Sequence, residues 1–345
     1  MTPMHYLAGD IGGTHTRLLL AERSGDVQRI LSEKCFESRK YAGLAQVIAD
    51  FRSMGPPVVI DAACFAVAGP IQRSSTEDWV HVTNLPWIIT RSELANAIGV
   101  SPVRLMNDFE AVGHGIAQLK EEDMLVLQAG QTGSHGPRVV LGAGTGLGQA
   151  LVLQCGEQEL VVPTEGGHVD FGPTDAMQLE LTQWLMEKLG RASYEDILSG
   201  GGLARLYKFL HSRGTIPESD TVAAAFKQGD PAAAIHAAAL KKDPLAQAAL
   251  DLFVSIYGAQ AGNVALACGA TGGVYVAGGI APRILQQLRG GAFLAAFLGK
   301  GRMTELLRRI PLRIVVSPAV GLQGALACAA RLLQAESLIG NDQGC

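Results

Sequence analysis

The chain has 345 residues, of which 48% are hydrophobic and 17% are charged, and its formal net charge is −4. This composition argues against disorder, and the absence of a basic excess argues against a nucleic-acid partner. The length predicts two domains, and the 42 glycines predict an α/β enzyme with many tight backbone turns.

The first third of the chain is predicted to be rich in strands. Two strands enclose the turn 10–14 as a hairpin, and two more follow, at Tyr6–Gly9, Thr16–Ala21, Val58–Val67 and Val103–Met106. A helix is predicted from a cap at Ser92 to Gly99, with Ala95 and Ile98 on its inner face. Helical spacing returns over 109–119, directly after Asn107-Asp108.

Long helices dominate the prediction for the middle of the chain, and strands return late. The predicted strands are Arg138–Leu141, Ala150–Leu153, Leu160–Val162, Val274–Ala277 and Arg313–Val316. The predicted helices are Met177–Leu189, an Ala-rich region 221–257 broken near Gly229-Asp-Pro231 and Asp243-Pro244, and Leu322–Leu333. The inner face of the first of these helices is assigned to Leu181, Trp184, Leu185 and Leu189. From Glu336 the tail is predicted to be loose.

One uncharged stretch, between Asp251 and Arg283, resembles a membrane span in composition. Its seven glycines and Pro282 instead predict a buried helix, a glycine turn and a buried strand, so no membrane partner is expected. The N-terminus shows no secretory signal, and the six cysteines contain no C-x-x-C pair. We therefore expect a cytoplasmic protein in which Cys64, Cys155 and Cys268 are buried.

Common nucleotide and hydrolase motifs are absent. Gly299-Lys300 is followed by Gly301, so there is no Walker A loop, and G-x-S-x-G does not occur. Leu147 stands where the dinucleotide fingerprint needs its third glycine, which disfavours a Rossmann site.

Three separate glycine turns remain, each at the end of a predicted strand: residues 9–14, 142–148 and 277–280. Backbone N–H groups in such turns can approach phosphate oxygens because no Cβ blocks them. Asp10 at the mouth of the first turn suits Mg²⁺, which prefers carboxylate, water and phosphate oxygens. The pattern predicts a phosphate site that has no Walker lysine.

The three turns together resemble the ATPase core shared by sugar kinases, actin and heat-shock chaperone ATPases. From residue 7 to about residue 330, the chain is also similar to the bacterial glucokinase family. The matching stretches are Leu105–Phe109, Pro163–Phe171, Tyr194–Gly200 and Gly278–Arg283. A related group of sugar kinases carries a Cys-rich zinc motif, which this sequence lacks.

The resemblance implies a two-lobed actin/hexokinase-like α/β fold, with ribonuclease H-like mixed sheets and a cleft between the lobes. The expected small lobe is 1–110 plus 318–338, and the large lobe is 111–317. The implied reaction is transfer of the ATP γ-phosphate to the 6-hydroxyl of glucose, with Mg²⁺, in a homodimer. The residues alone leave the choice among glucose, mannose and glucosamine open.

The resemblance also implies the site residues. The phosphate and adenosine contacts would be Asp10, Gly12, Gly13, Thr14, Gly144, Thr145, Gly146, Gly278 and Gly279, with Asp10 holding Mg²⁺ through water. Asp108 would be the catalytic base, and it would bind sugar together with Asn107, Glu165, His168, Glu195 and Asn84. The loop at Asn84 departs from the family pattern, because Leu85-Pro86 precede Trp87.

Simpler interpretations accompany these assignments. Asn107-Asp108 is also typical of a plain helix cap, and Glu195 of a solvated helix carboxylate. His168 could belong to a surface turn or pair with Asp170 on a metal. Two other functions stay open, an acyl-phosphate-forming kinase and a nucleotide-switch or filament protein.

Overall fold

The computed structural model describes residues 3–25, 27–131, 133, 135–156, 158–229 and 231–341. The chain divides into two compact units, Met1–Lys120 with Ser317–Cys345 and Glu121–Val316. The first unit extends beyond the predicted boundary at residue 110. The reason is that a helix, Asp108–Gly115, packs closely on the C-terminal helix, Val320–Asn341. A Cβ on Gly324 would overlap the carbonyl oxygen of Ala111.

The first unit is built on a five-stranded mixed sheet with the order β3-β2-β1-β4-β8. Its strands are β1 (Met4–Ile11), β2 (His15–Ser24), β3 (Val27–Glu37), β4 (Ala62–Val67) and β8 (Val103–Asn107). A separate small sheet contains β5 (Gln72–Arg73), β6 (Asp78–His81) and β7 (Ile88–Thr90). β1 pairs antiparallel with β2 and parallel with β4, which itself runs parallel to β8.

Alternating residues of β1 reach opposite faces of this sheet, as the pleat requires. On one face, Leu7 and Ile11 join the apolar core that includes α1 (Leu44–Met54) and α2 (Arg91–Ile98). On the other face, Tyr6 and Ala8 join the core that contains the C-terminal helix. The third helix of this unit is α3 (Asp108–Gly115).

The second unit contains a six-stranded sheet with the order β12-β11-β10-β13-β14-β9. Its strands are β9 (Met124–Gln128), β10 (Arg138–Ala143), β11 (Leu147–Cys155), β12 (Gln158–Thr164), β13 (Gly273–Ala277) and β14 (Leu312–Val315). Its helices are α4 (Ala176–Leu189), α5 (Gly200–Ser212), α6 (Asp220–Gln228), α7 (Pro231–Leu240), α8 (Pro244–Ala267), α9 (Leu285–Arg289), α10 (Ala292–Leu298) and α11 (Thr304–Arg308). One apolar core joins this sheet to the buried helix α8.

Most predicted elements are present, but several details of the prediction are wrong. The strand predicted from Val58 begins at Ala62, and α2 is capped by the Thr90 side chain instead of Ser92. β3 and α5 were not predicted. The predicted inner face of α4 includes Leu189, which is exposed, and Cys155 is exposed rather than buried. The C-terminal helix continues to Asn341, so the chain is not irregular from Glu336.

The uncharged stretch after Asp251 forms the end of α8, a turn and β13, as predicted. Among the helices of the described residues, none combines the length and apolar character that a bilayer crossing requires.

Candidate active site

Three parallel strands of the first unit end at the same level of the sheet. Ile11 on β1 pairs in register with Val67 on β4, and Val67 pairs with Asn107 on β8. The segments that follow these strands therefore meet at one edge. In open α/β sheets this carboxyl edge is where ligands bind, and it carries Asp10, the turn 12–14 and Asp108.

The first glycine turn joins β1 to β2, with Gly12 N–H donating to the His15 carbonyl at 2.9 Å. Two fully buried hydroxyls support it. The Ser38 Oγ donates to the Gly12 carbonyl at 2.9 Å and lies 3.0 Å from Thr16 Oγ1. The Ser38 N–H also donates to the Thr14 carbonyl at 2.9 Å. These hydrogen bonds fix the backbone of the turn and leave Thr14 exposed.

Asn84 lies beside this turn. A Cβ on Gly13 would be 2.9 Å from the Thr83 carbonyl oxygen and 3.2 Å from Asn84 Cβ, so glycine permits this approach. Asn84 has φ of 64°, a left-handed conformation that asparagine tolerates better than most residues. Its side chain is exposed on the sheet's carboxyl edge. The structure therefore places Asn84 next to the first glycine turn, while its predicted role in sugar binding stays a prediction.

Asn107 and Asp108 begin α3 at the end of β8. The Asn107 Oδ1 accepts the N–H of Phe109 at 2.8 Å and its Nδ2 donates to the Gly69 carbonyl at 3.3 Å. Asn107 is therefore a helix cap, as the simpler interpretation stated. Asp108 is the first residue of the helix and half-buried, and its Oδ1 lies 2.9 Å from the Phe109 N–H.

Asp10 stands opposite Arg17 in the β1–β2 register. Burial raises the pKa of the Asp10 carboxyl, and the positive charge of Arg17 partly opposes this shift. Arg17 is itself held by the Pro318 carbonyl, to which Nη1 donates at 2.9 Å. A carboxylate in such a setting gains from a second positive charge, which is the environment that a Mg²⁺ ion and its water shell would supply.

The second and third glycine turns are neighbours in the second unit. β10 and β13 run parallel with Gly142 opposite Ala277, so the turns 144–146 and 278–279 follow them at one edge. The Ile280 N–H donates to the Ala143 carbonyl at 3.1 Å. Gly278 has φ of 81°, and a Cβ there would lie 2.6 Å from that same carbonyl oxygen. Only glycine allows this close packing of two turns.

Glu195 connects the turn 144–146 to the predicted sugar-binding loop. Its Oε2 accepts the Leu147 N–H at 2.8 Å, and its Oε1 lies 3.7 Å from His168 Nδ1. The His168 Nε2 is 3.9 Å from Glu165 Oε2. Glu195 lies in a turn before α5, so the interpretation as a helix carboxylate is wrong. Thus Glu165, His168 and Glu195 form one polar cluster beside a glycine turn.

The metal-pair interpretation of His168 and Asp170 finds no support in the geometry. Asp170 is ion-paired with Arg191 at 2.8 Å, and Arg191 also donates to the His168 carbonyl at 2.7 Å. Within the described residues, no three His, Cys, Asp or Glu side chains form a group that could hold a metal. A Mg²⁺ ion at Asp10 would thus take its other ligands from water and phosphate, as this ion commonly does.

Several supporting residues were missed by the sequence analysis. Ser38 and Thr16 hold the first turn, and the Tyr257 hydroxyl accepts the Ala143 N–H at 3.0 Å behind the second. Burial raises the pKa of Tyr257, which keeps its hydroxyl neutral. Tyr257 and Ala143 are 114 residues apart in the sequence, so no local pattern predicts this hydrogen bond.

The amino-acid sequence of this chain is similar to those of known proteins. The sequence profile described as Glucokinase matches residues 7–332. The chain belongs to the glucokinase family. It is 40% identical over 342 residues to a glucokinase of Nostoc punctiforme, and the alignment covers 94% of this chain and 99% of that protein.

Solved structures of the glucokinase family share the fold. The crystal structure of a glucokinase from an Antarctic psychrotroph superposes with a TM-score of 0.81 at 30% identity, covering 95% of this chain and 99% of that chain. A glucokinase from Balamuthia mandrillaris in complex with glucose gives a TM-score of 0.78 at 26% identity, covering 95% and 94%. The predicted hexokinase-like α/β fold class is confirmed.

Proposed function

We propose that the protein is an ATP-dependent glucokinase, which transfers the γ-phosphate of ATP to the 6-hydroxyl of glucose and releases glucose 6-phosphate and ADP. The observation that carries this proposal is the bond between Glu195 and the Leu147 N–H. It joins a carboxylate and imidazole cluster, suited to sugar hydroxyls, to a glycine turn suited to phosphate. Membership of the glucokinase family supports the choice of substrates.

Asp108 is assigned the role of general base. Phosphoryl transfer needs the acceptor hydroxyl aligned on the γ-phosphate and a carboxylate to accept its proton. Asp108 lies at the carboxyl edge of its sheet, and its backbone is fixed because Asn107 caps α3. The Asn107 Nδ2 donates one hydrogen to the Gly69 carbonyl, which orients the amide and leaves its second hydrogen for the sugar hydroxyl assigned to it.

Glu165, His168, Glu195, Asn107 and Asn84 are assigned to the sugar. A hydroxyl group that leaves water needs a replacement partner, and a set of fixed acceptors and donors supplies it. Glu165 and His168 are mainly exposed, with side-chain exposures of 71% and 56%, so both can exchange water for sugar.

The glycine turns are assigned to the nucleotide. Backbone N–H groups at 12–14 and 144–146, with the Thr14 and Thr145 hydroxyls, would hold the phosphate oxygens, and Gly278 and Gly279 would lie near the adenosine. Asp10 would hold Mg²⁺ through water. When bound, the ion would neutralise charge on the transferring phosphoryl group.

The assembly and location are proposed from the family resemblance alone. We propose a cytoplasmic homodimer. Light scattering coupled to gel filtration would give a mass of about twice the chain's 36.2 kDa if this is correct.

An ADP-release assay with a panel of hexoses tests the function. We expect turnover that depends on glucose, with lower kcat/KM for mannose and glucosamine. ATP turnover without any sugar, accompanied by polymerisation, would favour the filament alternative, and turnover with a carboxylate acceptor would favour the acyl-phosphate-forming kinase. A lack of stimulation by every hexose would overturn the proposal.

A further inference from the structure

A series of partly buried hydrogen bonds leads to the residue next to Glu195, a member of the polar cluster of Glu165, His168 and Glu195. It begins at Lys300, which lies between α10 and α11. The Lys300 Nζ donates to Asn263 Oδ1 on α8 at 2.5 Å, and the Asn263 Nδ2 lies 2.8 Å from the hydroxyl of Tyr194. Tyr194 is the residue directly before Glu195.

The orientation of these hydrogen bonds is determined by the ammonium group of Lys300, which can only donate. An ammonium group has three donors and no acceptor, so the Asn263 atom that faces Lys300 has to be the carbonyl oxygen. The Asn263 amide is thereby oriented with Nδ2 toward Tyr194 and toward Gln260 Oε1, 3.2 Å away. Without the lysine, the amide could turn over, which would place Oδ1 against Gln260 Oε1 with no hydrogen between them and reverse the bond to Tyr194.

Lys300 is held in this position by packing as well. Its Cε would be 2.9 Å from a Cβ on Gly262, so the absence of a side chain there lets the lysine stem lie against α8. The ammonium is half-buried, and burial lowers the pKa of Lys300. A half-buried cation is costly unless it makes a well-aligned bond, and among the described contacts of Lys300 Nζ that bond is to Asn263.

Tyr194 connects these hydrogen bonds to two parts of the candidate site, Glu195 and the loop 165–168. Its ring packs edge-on against Phe171 with ring centroids 5.4 Å apart, and its N–H donates to the Val169 carbonyl at 3.2 Å. The next residue, Glu195, donates its N–H to the Gly167 carbonyl at 2.8 Å. A shift of Tyr194 therefore moves Glu195 and the loop 165–168 together.

We propose that Lys300, Asn263 and Tyr194 form a positioning network that holds Glu195 and the loop 165–168 in the geometry required for sugar binding. None of these three residues is among those assigned to the sugar or the nucleotide, and Lys300 acts through the other two. The inference rests on the proposed function for the identity of the ligand. The positioning itself is a property of the unliganded protein.

The first test is amide hydrogen exchange in the unliganded protein. In Lys300→Met, which keeps the stem and removes the donor, we expect faster exchange at Glu195 and Leu147 by about tenfold, a typical effect of losing one charged hydrogen bond. Lys188→Met, on the exposed surface of α4, is the matched control and should exchange like wild type. Wild-type exchange in Lys300→Met would overturn the network.

The second test separates positioning from general stability. We expect Lys300→Met to raise the KM for glucose by about tenfold, while kcat and the KM for ATP change by less than about twofold. Lys300→Arg restores a cationic donor and should recover a glucose KM within about threefold of wild type. Equal losses in kcat and both KM values, with a lower unfolding midpoint, would indicate a merely structural role and contradict the proposal.

The two tests also distinguish this network from the proposed function. If wild type shows no glucose-dependent ADP release, the proposed function fails, while the exchange rates still decide whether Lys300 positions Glu195. If wild type is active and Lys300→Met exchanges faster but keeps its glucose KM, the network exists but does not serve sugar binding, and the proposal is wrong.

Discussion

Five strands of each sheet have the same order and directions, with β9 as a sixth, antiparallel edge strand in the second sheet, but the two sheets carry different residues at their carboxyl edges. In each, an antiparallel three-stranded meander is followed by two parallel strands: β3-β2-β1-β4-β8 in the first unit and β12-β11-β10-β13-β14 in the second. Each first hairpin has a three-residue turn, 12–14 or 144–146. The common framework therefore presents two phosphate-type turns.

The difference lies in where each unit places its acids. Two residues before the turn, the first unit has Asp10 and the second has Gly142. A Cβ on Gly142 would lie 2.6 Å from the Ala277 carbonyl oxygen, so no acid fits there. The first unit thus carries one carboxylate near the end of a strand, Asp10 on β1, and one directly after a strand, Asp108 at the start of α3. The second carries Glu165 and Glu195 on loops and keeps its strand ends for backbone contacts.

The largest expected effect follows from replacing Asp108, which comes directly after β8 in the first unit. Asp108→Asn keeps the side-chain shape but removes the proton acceptor, so we expect kcat to fall by about 10²–10⁴-fold. Glucose affinity, measured by calorimetry, should change by less than about threefold. The control is Asp220→Asn, which also replaces the first residue of a helix, α6, and should leave kcat unchanged. Near-normal turnover in Asp108→Asn would remove Asp108 as the base.

The second prediction concerns a buried histidine of α3 in the first unit, His114. His114 is 6% exposed, and burial, together with the charges of Arg331 and Arg104, lowers its pKa to about 4. Because the unfolded state binds a proton at higher pH, stability is complete above about pH 6.5 and falls as the pH drops toward about 4. Between pH 6.5 and 5 this site should contribute a loss of about 2 kcal/mol in the free energy of unfolding.

Urea unfolding at the two pH values measures this contribution. His114→Asn keeps an acceptor for Arg331, whose Nη1 is 3.0 Å from His114 Nδ1, but does not titrate. Its stability should therefore fall by about 2 kcal/mol less than that of wild type over this range. The exposed His15→Asn should keep the wild-type pH dependence. Identical curves for His114→Asn and wild type would contradict the assignment.

The third prediction compares two glycines of the second turn. A Cβ on Gly146 would overlap Glu195 Oε2, whereas a Cβ on Gly144 would meet no protein atom within 4 Å. Gly146→Ala should displace the carboxylate and raise the glucose KM by about tenfold. Gly144→Ala should keep the wild-type glucose KM and raise the KM for ATP, because its methyl group would occupy space next to the phosphates. A raised KM for glucose in Gly144→Ala, together with a wild-type glucose KM in Gly146→Ala, would contradict this prediction.

The smallest effect is expected for the buried hydroxyl behind the first turn. Ser38→Ala removes the bond to the Gly12 carbonyl and leaves Thr16 Oγ1 without this partner, a loss of about 1 kcal/mol. We expect the KM for ATP to rise by about threefold to fivefold, with a smaller change for glucose. Ser53→Ala, in an exposed bond to the Asp50 carbonyl, is the control. A selective rise of the glucose KM would contradict the assignment of turn 12–14 to phosphate.

Local sequence patterns predict the hairpins, the glycine turns and most helices, because each depends on neighbouring residues. β3 was missed since most of its residues are exposed and show no alternation of buried positions. α5 was missed because it begins with three glycines, which suggest a loop. Gly202 is required there, since a Cβ would overlap the Ile197 carbonyl, and the Ser199 side chain caps the helix.

The residues that support the candidate site cannot be predicted from the sequence for a different reason. Lys300 meets Asn263 across 37 residues, and Asn263 meets Tyr194 across 69. Such contacts depend on how α8 and α10 pack, which no local pattern contains. Glu195 and His168 are predicted by the resemblance, but the bond from Glu195 to the second glycine turn is visible only in the folded chain.

The most direct test of the central claim is ³¹P NMR of a reaction containing the protein, MgATP and glucose. We expect the γ-phosphate signal of ATP to be replaced by a phosphomonoester signal that couples to two protons, as attachment to the CH₂ oxygen at position 6 requires. Formation of inorganic phosphate at the same rate with and without glucose would contradict the claim.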